Sequence, residues 1–277
     1  MLCEKEVIAM FETMTQEMKL RNFSPRTMET YVQCNRDFYH WVQKNPRDVS
    51  GQDIRHYLLH LVGRQYASST INLIHAALAF YYGTILRKNI SDLPYQKREQ
   101  YARLVPEKKE IKEMIERTKN TKHKLVIGLL YAAGLRCSEI IKIKLEDIDV
   151  NRRLLLVRQG KGAKDRYTIL SENIIEQIKH YLRTRLYQSP YLFASRDGHI
   201  TTRTVEAILA AASHTANTKK YTPHSLRHSF ATHLMEAGTK TEYIQQLLGH
   251  KDLRTTRIYE GITTRHLQAI PSPHDSL

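Results

Sequence analysis

The sequence has 277 residues, of which 41% are apolar and 26% are charged, and its formal net charge is +15. This composition is typical of a folded globular protein and excludes a disordered or fibrous chain. No apolar run approaches the length that crosses a bilayer, so we expect no membrane segment. The start lacks a basic stretch followed by an apolar core, which argues against a signal peptide.

Residues 1–90 are predicted to form four helices. Apolar residues recur there at helical spacing, beginning with a helix around residues 7–20. Ser50 with Asp53 resembles a capping box at the start of one helix, and Ser68 is expected to cap the last one. The apolar stripes of these helices predict a packed core.

Residues 91–105 lose the helical periodicity and become polar and basic, which predicts a linker. In the following domain, helices precede the stretch "IDVNRRLLLVRQGKGAKDRYTIL", where β-type runs are broken by Asn-Arg and by Gly-Lys-Gly. This pattern indicates a small antiparallel sheet with tight turns. Helices resume after Ser171, and the final "AIPSPHDSL" is expected to be a frayed tail. The predicted fold class is therefore α+β, mainly α.

The basic excess is concentrated in the second domain. Residues 1–100 carry a net charge of +3 and residues 101–277 a net charge of +12. An excess of this size favours a polyanionic partner, most often nucleic acid. A solvated basic surface without a partner is the alternative.

The segment "HSLRH" at residues 224–228 raises the question of a metal site. His224 and His228 lie four residues apart on one helical face and have the spacing of zinc ligands. However, no Glu follows His224 in the HExxH manner, and Arg227 would repel a cation. We also find no paired carboxylates for two magnesium ions and no Walker-type loop. The prediction is therefore a site without metal.

A phosphoryl-transfer site without metal needs fixed cations for the non-bridging oxygens, a proton donor for the leaving oxygen and a positioned nucleophile. Arginine suits the first task because its planar fork stays protonated and donates two hydrogen bonds. The chain offers such groups in this order: Arg136, Lys161, His224, Arg227, His250 and Tyr259. Each of them singly has a structural explanation, so their joint occurrence carries the hypothesis.

From Pro106 onward the chain resembles the tyrosine recombinases, also called the phage integrase family, and is most similar to their Xer-type members. The segments "GLRCSEI", "GKGAKDR", "PHSLRHSFATHLMEAG" and "IQQLLGHKDLRTTRIY" stand in the family's order. The resemblance implies a helical core-binding (SAM-like) domain over residues 1–90, a linker over 91–105, and over 106–277 a helical catalytic domain with a small antiparallel sheet, the DNA breaking-rejoining fold.

The resemblance also implies roles for the residues that match. Arg136 and Arg227 would hold the non-bridging oxygens of the scissile phosphate, and His250 would donate a further hydrogen bond. Tyr259 would be the nucleophile and would form a 3′-phosphotyrosyl link while a 5′-hydroxyl leaves. Glu139, one helical turn after Arg136, would orient the other groups.

The remaining matches concern proton transfer. Lys161 would be the general acid for the leaving oxygen, with Lys164 as the alternative. His224 would act as acid or base near the tyrosine. On the same helix, His228 and His233 are expected to serve packing or hydrogen bonding, as most helix histidines do.

The function implied is site-specific recombination of double-stranded DNA by four protomers on two sites, without metal, cofactor or ATP. Both dimer resolution of a chromosome or plasmid and integration or excision of a mobile element stay open. A relaxing activity like that of type IB topoisomerases and a non-catalytic DNA-binding regulator are the alternatives. Three scattered cysteines are typical of reduced intracellular thiols. Together with the DNA substrate that the resemblance implies, they lead us to expect a cytoplasmic, nucleoid-associated protein.

Overall fold

The computed structural model describes residues 11–90, 93–97, 104–158, 165–196, 198–249 and 270–277. The chain divides into two units, Met1–Tyr101 and Ala102–Leu277. Each unit has an apolar core of its own. Among the helices of the described residues, none combines the length and the apolar composition that a bilayer crossing requires.

Within residues 11–90, the N-terminal unit contains four α-helices, as predicted. They are α1 (Glu12–Leu20), α2 (Pro25–Val42), α3 (Gly51–Gly63) and α4 (Ser68–Leu78), and a π-helical segment (Ala79–Ile85) continues α4. Met14, Met18, Phe38 and Ile54 are fully buried at the centre of this unit. Within residues 93–97, Leu93 is buried in the same core, and Gln96 exchanges two hydrogen bonds with the Asn72 side chain.

The two predicted caps of this unit have different outcomes. The Ser50 hydroxyl accepts a hydrogen bond from the Asp53 backbone N–H, and the Asp53 carboxylate accepts one from the Ser50 N–H, so the capping box is confirmed. The prediction for Ser68 is wrong, because Ala67 occupies the N-cap of α4 without a side-chain bond. The Ala67 carbonyl already accepts from Thr70 and Ile71, which places Ser68 inside the first turn.

In the described part of the C-terminal unit, most residues are helical and two small antiparallel sheets are present, so the predicted fold class is confirmed. Its helices are α5 (Lys108–Arg117), α6 (Thr121–Ala132), α7 (Cys137–Ile140), α8 (Glu172–Thr184), α9 (Thr202–Thr215), α10 (Pro223–Glu236) and α11 (Thr241–Leu248). Its strands are β1 (Ile148–Asp149), β2 (Leu154–Val157), β3 (Arg166–Ile169), β4 (Ala194–Ser195) and β5 (Gly198–His199). Short 3₁₀ turns cover Leu145–Asp147 and Pro273–Ser276.

The three-stranded sheet has the order β1-β2-β3, with antiparallel pairs that place Leu154 opposite Ile169 and Val157 opposite Arg166. The neighbouring residues Leu154 and Leu155 are both fully buried in the core of the unit, so both faces of the sheet are covered there, because successive strand residues face opposite sides. The buried Thr168 hydroxyl donates a 2.8 Å hydrogen bond to the Ala133 carbonyl, which ties β3 to the end of α6. The strand that begins at Arg166 is thereby held close to the segment that carries Arg136.

The expectation of a frayed tail is wrong for residues 270–277. Ser272 and His274 are buried, and the Ser272 hydroxyl donates a 3.0 Å hydrogen bond to the Ala132 carbonyl. The His274 Nδ1 atom lies 3.2 Å from the Ser171 hydroxyl at the N-cap of α8. The segment is ordered because these polar groups find buried partners on α6 and α8, which its polar composition does not reveal.

Candidate active site

Arg136 lies at a sharp reversal of the chain. Gly134 follows α6 with φ of +58°, and a Cβ added there would come within 2.4 Å of the Phe230 ring, so only glycine fits. Arg136 is the N-cap of α7, and its backbone N–H donates a 2.8 Å hydrogen bond to the Glu139 carboxylate. Its Nη1 atom donates to the same carboxylate at 2.6 Å.

Arg227 reaches the same place from α10. This helix starts at Pro223 and has Thr222 as its N-cap. The position of this start determines which of its residues face the core. The Arg227 side chain is 5% exposed, and its Nη1 atom lies 3.7 Å from the Glu139 carboxylate. The same Nη1 atom donates a 2.6 Å hydrogen bond to the Gly134 carbonyl, and Nη2 donates to the carbonyl of Leu248.

A third arginine, Arg166 at the start of β3, completes the site and was not among the predicted site residues. Its Nη1 and Nη2 atoms each donate a 2.8 Å hydrogen bond to one oxygen of Glu139, and its side chain is 8% exposed. The only sequence signal for it is its place as the last residue of "GKGAKDR". We call Arg136, Arg166 and Arg227 the arginine cluster.

The arginine cluster also binds the end of α11. Carbonyls of three consecutive residues accept from it: Leu247 from Arg166 at 2.8 Å, Leu248 from Arg227, and Gly249 from Arg136 at 3.5 Å. Carbonyls in the last turn of a helix have no partner within the helix and carry partial negative charge, so cations stabilise them. Gly249 ends the helix with φ of +64°.

The electrostatics of the site favour an anion. Burial alone would raise the pKa of Glu139, but the hydrogen bonds and charge of Arg166, together with Arg136, lower that pKa to about 2. Burial and the charge of Arg136 lower the pKa of Arg227, although a guanidinium stays protonated at neutral pH. Three guanidinium groups therefore face one carboxylate, and the positive excess is what a phosphate would neutralise.

The predicted histidines of α10 differ in their surroundings. His224 is exposed one helical turn before Arg227, and its ring centroid lies 4.3 Å from that of the half-buried His228. His233 is buried, and its Nδ1 atom lies 2.9 Å from the Tyr131 hydroxyl, as expected for a packing role. Within the described ranges, no group of three or more His, Cys, Asp or Glu side chains has the arrangement of a metal site.

Four of the predicted residues lie outside the described residues: Lys161, its alternative Lys164, His250 and Tyr259. His250 directly follows Gly249 in the sequence. The structure thus brings Arg136, Glu139 and Arg227 together and adds Arg166 to them.

Comparison with known proteins agrees with this architecture. The pattern of the phage integrase family matches residues 105–266, and that of the phage integrase N-terminal SAM-like domain matches residues 10–92. Tyrosine recombinase XerA of Thermococcus kodakarensis is 35% identical over 273 residues, which cover 95% of this chain and 93% of that protein.

Two solved structures are similar over nearly the whole chain. The crystal structure of XerA recombinase is 28% identical, with a TM-score of 0.52 and coverage of 95% of this chain and 96% of that one. The Tn1549 transposon integrase in complex with circular intermediate DNA is 18% identical and has a TM-score of 0.70, with coverage of 94% and 97%. The chain belongs to the phage integrase family and is a Xer-type tyrosine recombinase, an enzyme of site-specific recombination that breaks and rejoins DNA strands.

Proposed function

We propose that this recombinase cleaves double-stranded DNA through a 3′-phosphotyrosyl link to Tyr259 and that two members of the arginine cluster, Arg136 and Arg227, hold the scissile phosphate. The observation that supports this is the cluster of three guanidinium groups around the buried carboxylate of Glu139. The cluster also binds the last carbonyls of α11, directly before His250 in the sequence. The Tn1549 integrase, which has the same fold, was solved with DNA, in line with a DNA substrate here.

Arg136 and Arg227 bind the two non-bridging oxygens of the phosphate. A guanidinium has five N–H donors, and the contacts of Arg227 with Gly134 and Leu248 use two of them, so others remain for the phosphate. The Arg136 side chain is 25% exposed, against 5% for Arg227, so it is the more accessible of the two. Fixed cations at these oxygens stabilise the charge that develops in the transition state.

In the chemical step, the Tyr259 phenolic oxygen forms a bond to phosphorus while the bond from phosphorus to the 5′ oxygen breaks. Lys161, or Lys164 in its place, donates the proton that the leaving 5′ oxygen needs. His224 acts as acid or base for the phenolic proton, and His250 adds a hydrogen bond to the phosphate. The phosphotyrosyl link conserves the energy of the broken bond, so rejoining needs no ATP. The proposed mechanism assigns the stabilisation of phosphate charge to arginines, without metal or cofactor.

At the level of the assembly, we assign DNA binding to a core-binding domain over residues 1–90, joined by a linker over 91–105 to a catalytic domain over 106–277. Four protomers hold two DNA sites in the synaptic complex. The site of action is the nucleoid in the cytoplasm. The basic excess of residues 101–277, +12, supplies contacts to the DNA backbone beyond the active site.

The test has two stages. The Tyr259→Phe variant, which keeps the DNA-binding residues, selects a target sequence from a pool of randomised duplexes. A nicked suicide duplex with that sequence is then incubated with the wild type, Tyr259→Phe and Tyr243→Phe. Tyr243 is half-buried on α11 and serves as the matched control.

We expect a covalent adduct on a denaturing gel with the wild type and with Tyr243→Phe, and none with Tyr259→Phe. An adduct that persists in Tyr259→Phe but disappears in Tyr243→Phe would move the nucleophile to Tyr243. Absence of an adduct from the wild type on a duplex that it binds tightly would reject the proposed chemistry.

A further inference from the structure

Arg166 differs from the other two arginines of the cluster in how its donors are used. Nη1 and Nη2 bind the two oxygens of Glu139, each at 2.8 Å, and Nε binds the Leu247 carbonyl at 2.8 Å. Three of its five donors are therefore directed at the protein in one planar arrangement. With the side chain 8% exposed, Arg166 connects two elements, α7 and the end of α11.

The first connection concerns the orientation of Glu139. Both of its oxygens are shared: Oε1 accepts from Arg166 and from the Arg136 side chain, and Oε2 accepts from Arg166 and from the Arg136 backbone. A carboxylate held by a bidentate arginine cannot rotate without losing both bonds. Arg166 thereby fixes the carboxylate that in turn fixes the Arg136 guanidinium.

The second connection concerns the exit of α11. The Arg166 Nε atom donates a hydrogen bond to the Leu247 carbonyl. A Cβ atom added at Gly249 would lie 2.8 Å from the Arg166 Cδ atom. The backbone at the end of α11 therefore packs closely against the Arg166 side chain. The next residue in the sequence is His250, to which the proposed function gives a hydrogen bond to the phosphate.

We infer that Arg166 is a positioning residue for DNA cleavage, which orients Arg136 through Glu139 and anchors the end of α11 ahead of His250. This inference rests on the proposed function. It assigns Arg166 no contact with DNA, since each of its three guanidinium nitrogens already donates to Glu139 or Leu247. Its removal should accordingly slow cleavage while DNA binding stays the same.

The test compares Arg166→Met, Arg166→Lys and the control Arg153→Met on the selected suicide duplex. Arg153 also pairs with a carboxylate, Glu172 at 2.6 Å, but its side chain is 48% exposed. The measured quantity is the single-turnover rate of adduct formation at saturating protein, with the Kd for the duplex measured in parallel. We expect Arg166→Met to be slower by about 10²-fold, as for a misplacement of about 1 Å, with an unchanged Kd. Arg153→Met should match the wild type in both.

The pH profile separates positioning from a general loss of structure. Arg166 is the main cause that holds the pKa of Glu139 low, so Arg166→Met raises that pKa toward its usual range or above, given the burial. Adduct formation by Arg166→Met should therefore decline as the pH falls, at a pH where the wild type keeps its rate. Arg166→Lys keeps the positive charge beside Glu139, so its rate should depend on pH as the rate of the wild type does. At every pH the rate should stay low, because a single ammonium group cannot bond both oxygens of Glu139 and the Leu247 carbonyl together.

Arg166→Met leaves a buried carboxylate with fewer partners, so a double variant, Arg166→Met with Glu139→Gln, guards against misfolding. Because Arg166 also anchors α11, we expect this double variant to be slower than Glu139→Gln alone. Equal rates would overturn the anchoring role. The whole inference would be overturned if Arg166→Met formed the adduct at the wild-type rate with the wild-type pH dependence. It would also be overturned if Arg166→Met lost DNA binding to the same extent as it lost cleavage. In each case the wild-type adduct shows that the proposed function itself stands.

Discussion

Arg227 and Gly134 are joined by a 2.6 Å hydrogen bond from the arginine Nη1 atom to the glycine carbonyl. This bond connects α10 to the reversal after α6, two residues before Arg136. The positions of Arg136 and Arg227 are therefore coupled through backbone geometry, in addition to the carboxylate of Glu139 that both approach. A change at either end of this connection is expected to affect the phosphate site.

Replacement of Arg227 by alanine removes one of the two proposed phosphate contacts. We expect adduct formation to slow by about 10²–10³-fold, or about 3–4 kcal/mol of barrier, as for the loss of a strong oxyanion donor. DNA binding should change much less, because the proposed backbone contacts of the many other Lys and Arg side chains remain. Suicide-duplex kinetics and equilibrium binding measure the two effects.

Arg227→Lys is the conservative comparison. Its ammonium keeps the charge but lacks the fork that reaches both the Gly134 and the Leu248 carbonyls, so it should recover only part of the rate. If cleavage and binding weakened to the same extent in both variants, Arg227 would only anchor the DNA. The proposal that it holds the scissile phosphate would then fail.

Gly134→Ala tests whether the chain reversal between α6 and Arg136 requires a glycine. The positive φ costs an L-residue about 1 kcal/mol, and the contact of 2.4 Å between the new Cβ and the Phe230 ring adds overpacking of about 2 kcal/mol. We expect the C-terminal unit to lose about 3 kcal/mol in urea unfolding followed by circular dichroism. Fluorescence of Trp41, the only tryptophan, reports the N-terminal unit in the same sample and should not shift.

Gly238→Ala is the matched control, because Gly238 has φ of +81° but nothing within 4 Å of an added Cβ. It should carry the backbone cost alone, about 1 kcal/mol. Equal losses in the two variants would mean that Phe230 moves aside and that packing does not determine the glycine at position 134.

The features that could be predicted from the sequence are those set by local chemistry. The capping box of Ser50 and Asp53 depends on residues three apart, and it forms as expected. The β-type runs around Leu154 and Ile169, broken by turn residues, likewise predict paired strands without knowledge of the rest of the chain. The prediction of a Ser68 cap was wrong by one residue: the helix starts from Ala67 although alanine is disfavoured at an N-cap, so capping propensity alone does not fix where this helix begins.

The features that could not be predicted depend on partners distant in the chain. Arg166 and Glu139 are 27 residues apart, and nothing in "GKGAKDR" indicates that this arginine is bound to a buried carboxylate. The carbonyls that receive the arginine cluster belong to apolar residues such as Leu247, whose side chains reveal nothing of this role. The residues around His274 read as a frayed tail for the same reason, since their partners lie on α6 and α8.

A chelator provides a direct test of the metal-free mechanism. If the guanidinium groups of Arg136 and Arg227 supply the positive charge at the phosphate, adduct formation should proceed at the same rate in excess EDTA. The measurement is the suicide-duplex rate with and without EDTA. Inhibition that added Mg²⁺ or Zn²⁺ reverses would instead favour metal chemistry, with His224 and His228 as the first ligands to mutate.

His274 should make the stability of the C-terminal unit sensitive to acid. Its burial lowers its pKa to about 4, whereas in the unfolded chain a histidine has a pKa of about 6.5. Between these values the unfolded chain binds more protons than the folded one, so the free energy of unfolding falls as the pH decreases from 6.5 to 4. From pH 7 to pH 5, this histidine alone should cost about 2 kcal/mol.

The measurement is urea unfolding of the C-terminal unit at pH 7 and pH 5 for the wild type, His274→Asn and His180→Asn. His274→Asn cannot titrate, so its loss of stability between the two pH values should be smaller than that of the wild type by about 2 kcal/mol. His180 is exposed on α8, and its substitution controls for the removal of an imidazole. If His274→Asn lost as much stability in acid as the wild type, the effect would have to come from other buried histidines such as His233, whose pKa is also lowered by burial.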